Sequence, residues 1–129
     1  MAIPGDDIEF LRDEPVRDIA EQDGAVVVRL GGELDVYNAG LVREALSDAV
    51  RRGKARLVVD LEEVSFMDST LLGVLVEART RAANRRAFML AAAGLEVRRA
   101  LEVSGLDRHF EVHESVDSAL AAKLAPDGA

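Results

Sequence analysis

Phe66-Met67-Asp68-Ser69-Thr70-Leu71-Leu72-Gly73 joins two different hydrophobic patterns. Upstream, Arg56 to Leu61 holds the unbroken run Leu57-Val58-Val59. Such a run reads as a strand buried on both faces, which implies a parallel sheet. A short loop then leads to Leu71–Arg81, whose first turns carry almost no charge and which reads as a helix. Strand, loop and helix in that order are the repeating unit of an α/β layer. Asp68 and Ser69 stand where side-chain oxygens cap orphan backbone N–H groups. The same place lies at the positive end of the helix, where a phosphate would be favoured. Beside apolar Leu71 and Leu72, an exposed Ser69 is expected to act as a charge switch on a binding surface.

The pattern continues in both directions. Val16–Gln22 and the β-branched run Ala25–Leu30 flank Asp23-Gly24, a two-residue hairpin signal, so an antiparallel pair opens the domain. Gly31-Gly32 is expected to break the second strand. A helix follows from about Ala39 to Arg52. Val42, Ala45, Leu46, Ala49 and Val50 recur on one face, and Gly53 occupies the stop position. Beyond the Ser69 helix come a strand at Ala87–Ala91 and a helix from Gly94 to Ser104 that buries Val97, Ala100 and Leu101 and is closed by Gly105. Phe110–His113 reads as a short edge strand, and Ser115 as the cap of a last helix to about Leu124. The expected fold is therefore α/β, a mixed sheet of about four or five strands packed with about four helices. Residues 1–15 form an N-terminal arm or an extra edge strand, residues 16–124 the domain, and residues 125–129 a tail.

Composition narrows the function. The length of 129 residues suits one domain, and 49% apolar content supplies a core. With no Cys there are no disulfides or thiolate metal sites, which suits a reducing cytoplasm. No apolar run approaches the ~18 residues of a membrane span, and the acidic Met1–Phe10 does not resemble a signal peptide. The net charge of −8 argues against direct nucleic-acid binding, which rests on basic side chains meeting phosphates. His109 and His113 are four apart around a strand rather than on a helix, with no further ligand pattern, so no metal or other cofactor is expected. Neither a Gly-x-Ser-x-Gly elbow nor a P-loop is present, and no His is tied by sequence to Ser69, so no catalytic residue is assigned. A phospho-receiver reading of Asp60 fails as well. Its acidic partners would have to be Asp6-Asp7, which follow no strand, and Lys54 and Lys123 lie in a turn and a helix.

Gly32-Glu33-Leu34-Asp35, Val59-Asp60-Leu61 with Val64, Phe66-Met67-Asp68-Ser69-Thr70, Gly73-Val74-Leu75, and Ser104-Gly105-Leu106 with Phe110 follow one another in order. Together they resemble the STAS domain of bacterial anti-sigma factor antagonists, over about Val16 to Ala122. The resemblance implies a single STAS domain without catalytic activity. Its serine, Ser69 here, would be phosphorylated by a cognate anti-sigma factor with serine kinase activity. The unphosphorylated form would bind that factor and free the sigma factor; phosphorylation would end binding, and a serine phosphatase would reset it. Glu33, Asp35, Asp68, Thr70, Leu71, Leu72 and Gly73 become the expected partner-binding residues, and a weak homodimer is compatible with the pattern. Where the family often has Gly, this chain has Leu71, whose bulk is then expected close to the acceptor. Glu33 and Asp35 read equally well as turn and cap residues, and Gly73 equally well as a site of tight helix-on-sheet packing. An alternative keeps the fold and drops the switch: a scaffold such as a stressosome subunit or an accessory subunit of a lipid transporter.

Overall fold

The computed structural model describes residues 14–124. Its elements in chain order are β1 (Val16–Gln22), β2 (Ala25–Leu34), α1 (Ala39–Arg51), β3 (Arg56–Met67), α2 (Ser69–Arg81), β4 (Phe88–Ala91), α3 (Leu95–Ser104), β5 (Glu111–His113) and α4 (Val116–Ala121). Short 3₁₀ turns at Arg85–Ala87 and Leu106–Arg108 lead into β4 and β5. The strands lie side by side in sequence order. β1 is antiparallel to β2, and every later pair is parallel. The β1–β2 turn is made by Asp23 and Gly24 at φ 52° and 77°, the double positive φ that a two-residue hairpin requires.

Three successive parallel crossovers step across the sheet in one direction. Because such crossovers are right-handed, α1, α2 and α3 must share one face. That face holds the larger core. Val26, Val28, Leu30, Leu57, Val59, Leu61, Phe88 and Leu90 of the strands pack there with Val42, Leu46, Leu71, Leu75, Val97 and Leu101 of the helices. The opposite face carries a smaller cluster, Val27, Val58, Met89 and Ala91, under Ala119 of α4. Alternation along fully buried strands feeds both layers. Ser115 caps α4 by accepting the Ser118 N–H at 3.0 Å. Arg56 ties the same helix to β3 by donating to the Ala119 and Ala122 carbonyls at 2.7 and 2.8 Å.

Several boundaries differ from those read in the sequence. Gly31-Gly32 does not end β2. The strand continues to Leu34, with irregular register on either side of the pair and Gly32 at φ +79°. The glycines bend the strand rather than stop it, the use expected of Gly at a bulge. Gly31 also admits the Arg17 guanidinium where a Cβ would stand. β3 likewise runs past Leu61 to Met67, replacing the expected loop. Its pairing with β4 stops at Asp60–Ala91, so beyond that point β2 and β3 continue as a two-stranded ribbon. Asp60 is buried, and its carboxylate accepts the Glu62 N–H at 3.0 Å, a turn-like role within the strand. The last helix ends at Ala121 rather than Leu124. Phe110 precedes β5 and is buried in the larger core. Ala100 is half-buried. The expected arm lies outside the described residues as far as residue 13, as does the tail, residues 125–129.

Candidate functional site at the start of the second helix

The ribbon of β2 and β3 brings two distant segments together. Glu33 pairs with Phe66 and Leu34 with Met67, and the Asp68 N–H donates to the Leu34 carbonyl at 3.1 Å. Asp68 then leaves the sheet in an extended conformation as the N-cap of α2. Its carboxylate accepts the Leu71 N–H at 3.1 Å, and its carbonyl accepts the Leu72 N–H at 3.1 Å. Capping by Asp68 alone leaves Ser69 as the first helical residue, exposed, its hydroxyl making no hydrogen bond among the described residues. No acidic residue occupies the first turn of α2, so the helix dipole there faces outward uncompensated except by Asp68. Thr70, the neighbouring hydroxyl, is half-buried.

The loop from β2 to α1 forms the other wall, and it is held by side chains. Asn38 accepts the Asp35 N–H at 2.9 Å through Oδ1 and donates from Nδ2 to the Glu33 carbonyl at 2.9 Å. The Asp35 carboxylate accepts the Tyr37 N–H at 3.0 Å. Asp35 is therefore a turn residue, as one of its two sequence readings has it, whereas the exposed Glu33 side chain makes no ion pair among the described residues and contributes its carbonyl to the loop. Asn38 was not singled out in the sequence. Asn within a tight turn is a recognisable signal, but which groups it bridges depends on where β2 ends.

Leu71 and Leu72 correct the sequence expectation. They are 0% and 7% exposed, packed in the core under α2. Their side chains do not form an apolar rim around Ser69, and the bulk of Leu71 is packed into the core instead. Gly73 behaves in the opposite way. It is exposed, and a Cβ added there would meet nothing within 4 Å, so packing on the sheet gives no reason for it. Exposed apolar surface comes instead from residues not among the expected partner-binding ones: Val36 at 60%, Tyr37 at 88% and, within the opening motif, Phe66 at 48%. Their exposure could not be read locally, since apolar residues beside turns are as often buried.

The site holds no cluster of three or more His, Asp or Glu arranged for a metal among the described residues, and no described helix is long and apolar enough to cross a membrane. Comparison with known proteins gives a consistent picture. The STAS domain family model matches residues 17–119. The anti-sigma-F factor antagonist RsfB of Mycobacterium tuberculosis is 30% identical over 102 residues, covering 79% of this chain and 84% of that protein. The anti-sigma-B factor antagonist of Staphylococcus aureus is 37% identical over 98 residues, covering 74% and 90%. The crystal structure of an anti-sigma factor antagonist from Mycobacterium paratuberculosis superposes with a TM-score of 0.75 at 30% identity, covering 80% of this chain and 88% of that one. With a family model spanning most of the domain and a fold that agrees, the chain belongs to the STAS domain family.

Proposed function

We propose that the protein is an anti-sigma factor antagonist regulated by phosphorylation at Ser69. Unmodified, it binds a cognate anti-sigma factor that is also a serine kinase and thereby releases a sigma factor. Phosphorylation ends that binding, and a serine phosphatase restores it. The chain is a binding protein and a kinase substrate, acting in the cytoplasm. The observation that carries this reading is the Ser69 hydroxyl: exposed, uncommitted, and one residue past the cap of α2. The names of its relatives supply the partner class.

The physical logic is a local change of charge. Phosphoserine adds about −1.5 to −2 charge near pH 7. At a helix N-terminus that charge is compatible with the fold. Against a partner surface that had desolvated a neutral hydroxyl, next to Asp68, it is costly to bury. Disrupting a buried contact through a misplaced charge costs ~2–5 kcal/mol, equivalent to a factor of roughly thirty to several thousand in affinity.

Incubation with the candidate kinase and ATP, followed by mass mapping, tests the acceptor. Phosphate is expected on Ser69 and absent from the more buried Thr70; phosphate on Thr70 alone would remove the carrying observation. Gly73 supplies a second expected result. It lies one turn beyond Ser69 on the same helix side, and an exposed mid-helix Gly costs roughly 1 kcal/mol relative to Ala. Gly73→Ala should therefore raise unfolding stability by about 0.5–1 kcal/mol while weakening anti-sigma binding, because the added methyl stands where the partner backbone approaches. A denaturation curve paired with a binding titration separates the two effects. Unchanged affinity would take Gly73 out of the interface.

A further inference from the structure

We infer that Tyr37 is the anchor by which this surface grips its partner, separate from the serine that releases it. The inference rests on the anti-sigma factor antagonist reading above and concerns what gives the bound state its affinity. Asn38 occupies the N-cap of α1, which makes Tyr37 the residue before the cap and Val42 the fourth helical residue. An apolar residue in the first position usually packs on the second, stapling the chain to the helix. Here Val42 is wholly buried and Tyr37 is 88% exposed, so the ring does not perform that task.

Nor is the loop loose. Tyr37 donates its own N–H to the Asp35 carboxylate, and Asn38 bridges Asp35 and Glu33 on the other side. The loop is tied in turn to the acceptor segment, since Leu34 accepts the Asp68 N–H. The result is an aromatic side chain held outward on a fixed backbone, beside exposed Val36, with exposed Leu41 four residues along. Tyr on a pre-organised loop loses little entropy on binding and brings a large apolar area, which is why such residues dominate interface energies.

The surrounding charge states what fits over it. Glu33 and Asp35 lie on the loop that carries Tyr37, Asp68 is hydrogen-bonded to Leu34 at the base of that loop, and the chain as a whole carries −8. The complementary occupant is an apolar pocket on the anti-sigma factor with basic side chains at its rim. What such a pocket takes up is the apolar area of the ring, so the ring rather than the hydroxyl carries the affinity.

The test uses the full chain and each serine-kinase anti-sigma factor of the source organism, with wild type, Tyr37→Ala, Tyr37→Phe and Ser69→Asp titrated in parallel. Tyr37→Ala is expected to weaken binding by at least tenfold, Tyr37→Phe by less than threefold, and neither to shift the thermal midpoint, because the ring supports no internal contact. Less than tenfold loss in Tyr37→Ala overturns the anchor; if Ser69→Asp still loses binding in the same series, the switch stands without it. Failure of wild type to bind any of these factors overturns the antagonist reading and the anchor with it. Sedimentation of the chain alone adds a further check. Concentration-dependent dimerisation that Tyr37→Ala abolishes would assign the patch to a second copy of the chain and overturn the proposal.

Discussion

Ser69→Asp should weaken binding to the anti-sigma factor by about a hundredfold while making the isolated protein slightly more stable. The two effects arise from one charge in two environments. Within the chain, an acidic side chain in the first turn of α2 complements the helix dipole, a gain of about 0.3–1 kcal/mol at an exposed position. That turn carries no acidic residue in the native sequence. At the interface the same carboxylate must be desolvated beside Asp68, and a loss of about 2.8 kcal/mol, in the lower part of the ~2–5 kcal/mol range, corresponds to roughly a hundredfold. Ser69→Ala keeps the surface neutral, so it should bind like wild type and no longer respond to kinase and ATP. Calorimetric titration and thermal melts on the same samples check both halves. Wild-type affinity in Ser69→Asp would sink the switch; lost affinity together with a lower melting point would point to damaged structure instead.

Leu71→Ala should be the most destabilising of the substitutions considered. Leu71 is 0% exposed and sits in the larger core with Leu34, Leu46 and Leu75. Removing a wholly buried Leu side chain leaves a cavity and costs ~2–5 kcal/mol, a large share of the ~5–15 kcal/mol that holds a domain of this size together. The chemical-denaturation midpoint should fall accordingly with little change in slope. Phosphorylation of the folded fraction at Ser69 should change only a few-fold, because the lost atoms lie beneath the helix rather than beside the hydroxyl. A stability change below about 1 kcal/mol would contradict full burial of the Leu71 side chain. A large rise in phosphorylation rate without destabilisation would restore Leu71 to the neighbourhood of the acceptor.

Adjacent residues in this segment therefore have unlike roles. Ser69 and Gly73, one turn apart, face outward, while Leu71 and Leu72 between them face the core, as the 100° step of a helix allows. The sequence pattern established that an apolar helix begins here and that Asp68 is fit to cap it. It could not say which of the leucines would look inward, because α2 is apolar on more than one side. The answer, that both are buried, depends on the sheet beneath and on α1 and α3 alongside.

The strand ends show the same division of information. Gly31-Gly32 reads locally as a break, since Gly weakens strands. In the folded chain the pairing of β2 with β3 outweighs that preference and turns the glycines into a bend. The extended ribbon that results sets Leu34 against Asp68 and so joins the Glu33–Asn38 loop to the start of α2. Nothing in either segment alone predicts that contact, because it depends on register between residues more than thirty positions apart.

By itself the sequence determined the α/β layer, the order of its elements, the hairpin at Asp23-Gly24 and the serine at the start of α2. Those follow from periodicity and from turn and cap chemistry, which act over a few residues. Tertiary structure decided which of the residues around Ser69 face outward. It buried Leu71 and Leu72, left Gly73 bare, and held Tyr37 out on a hydrogen-bonded loop. Exposure is a property of what packs against a residue, and those neighbours come from distant parts of the chain.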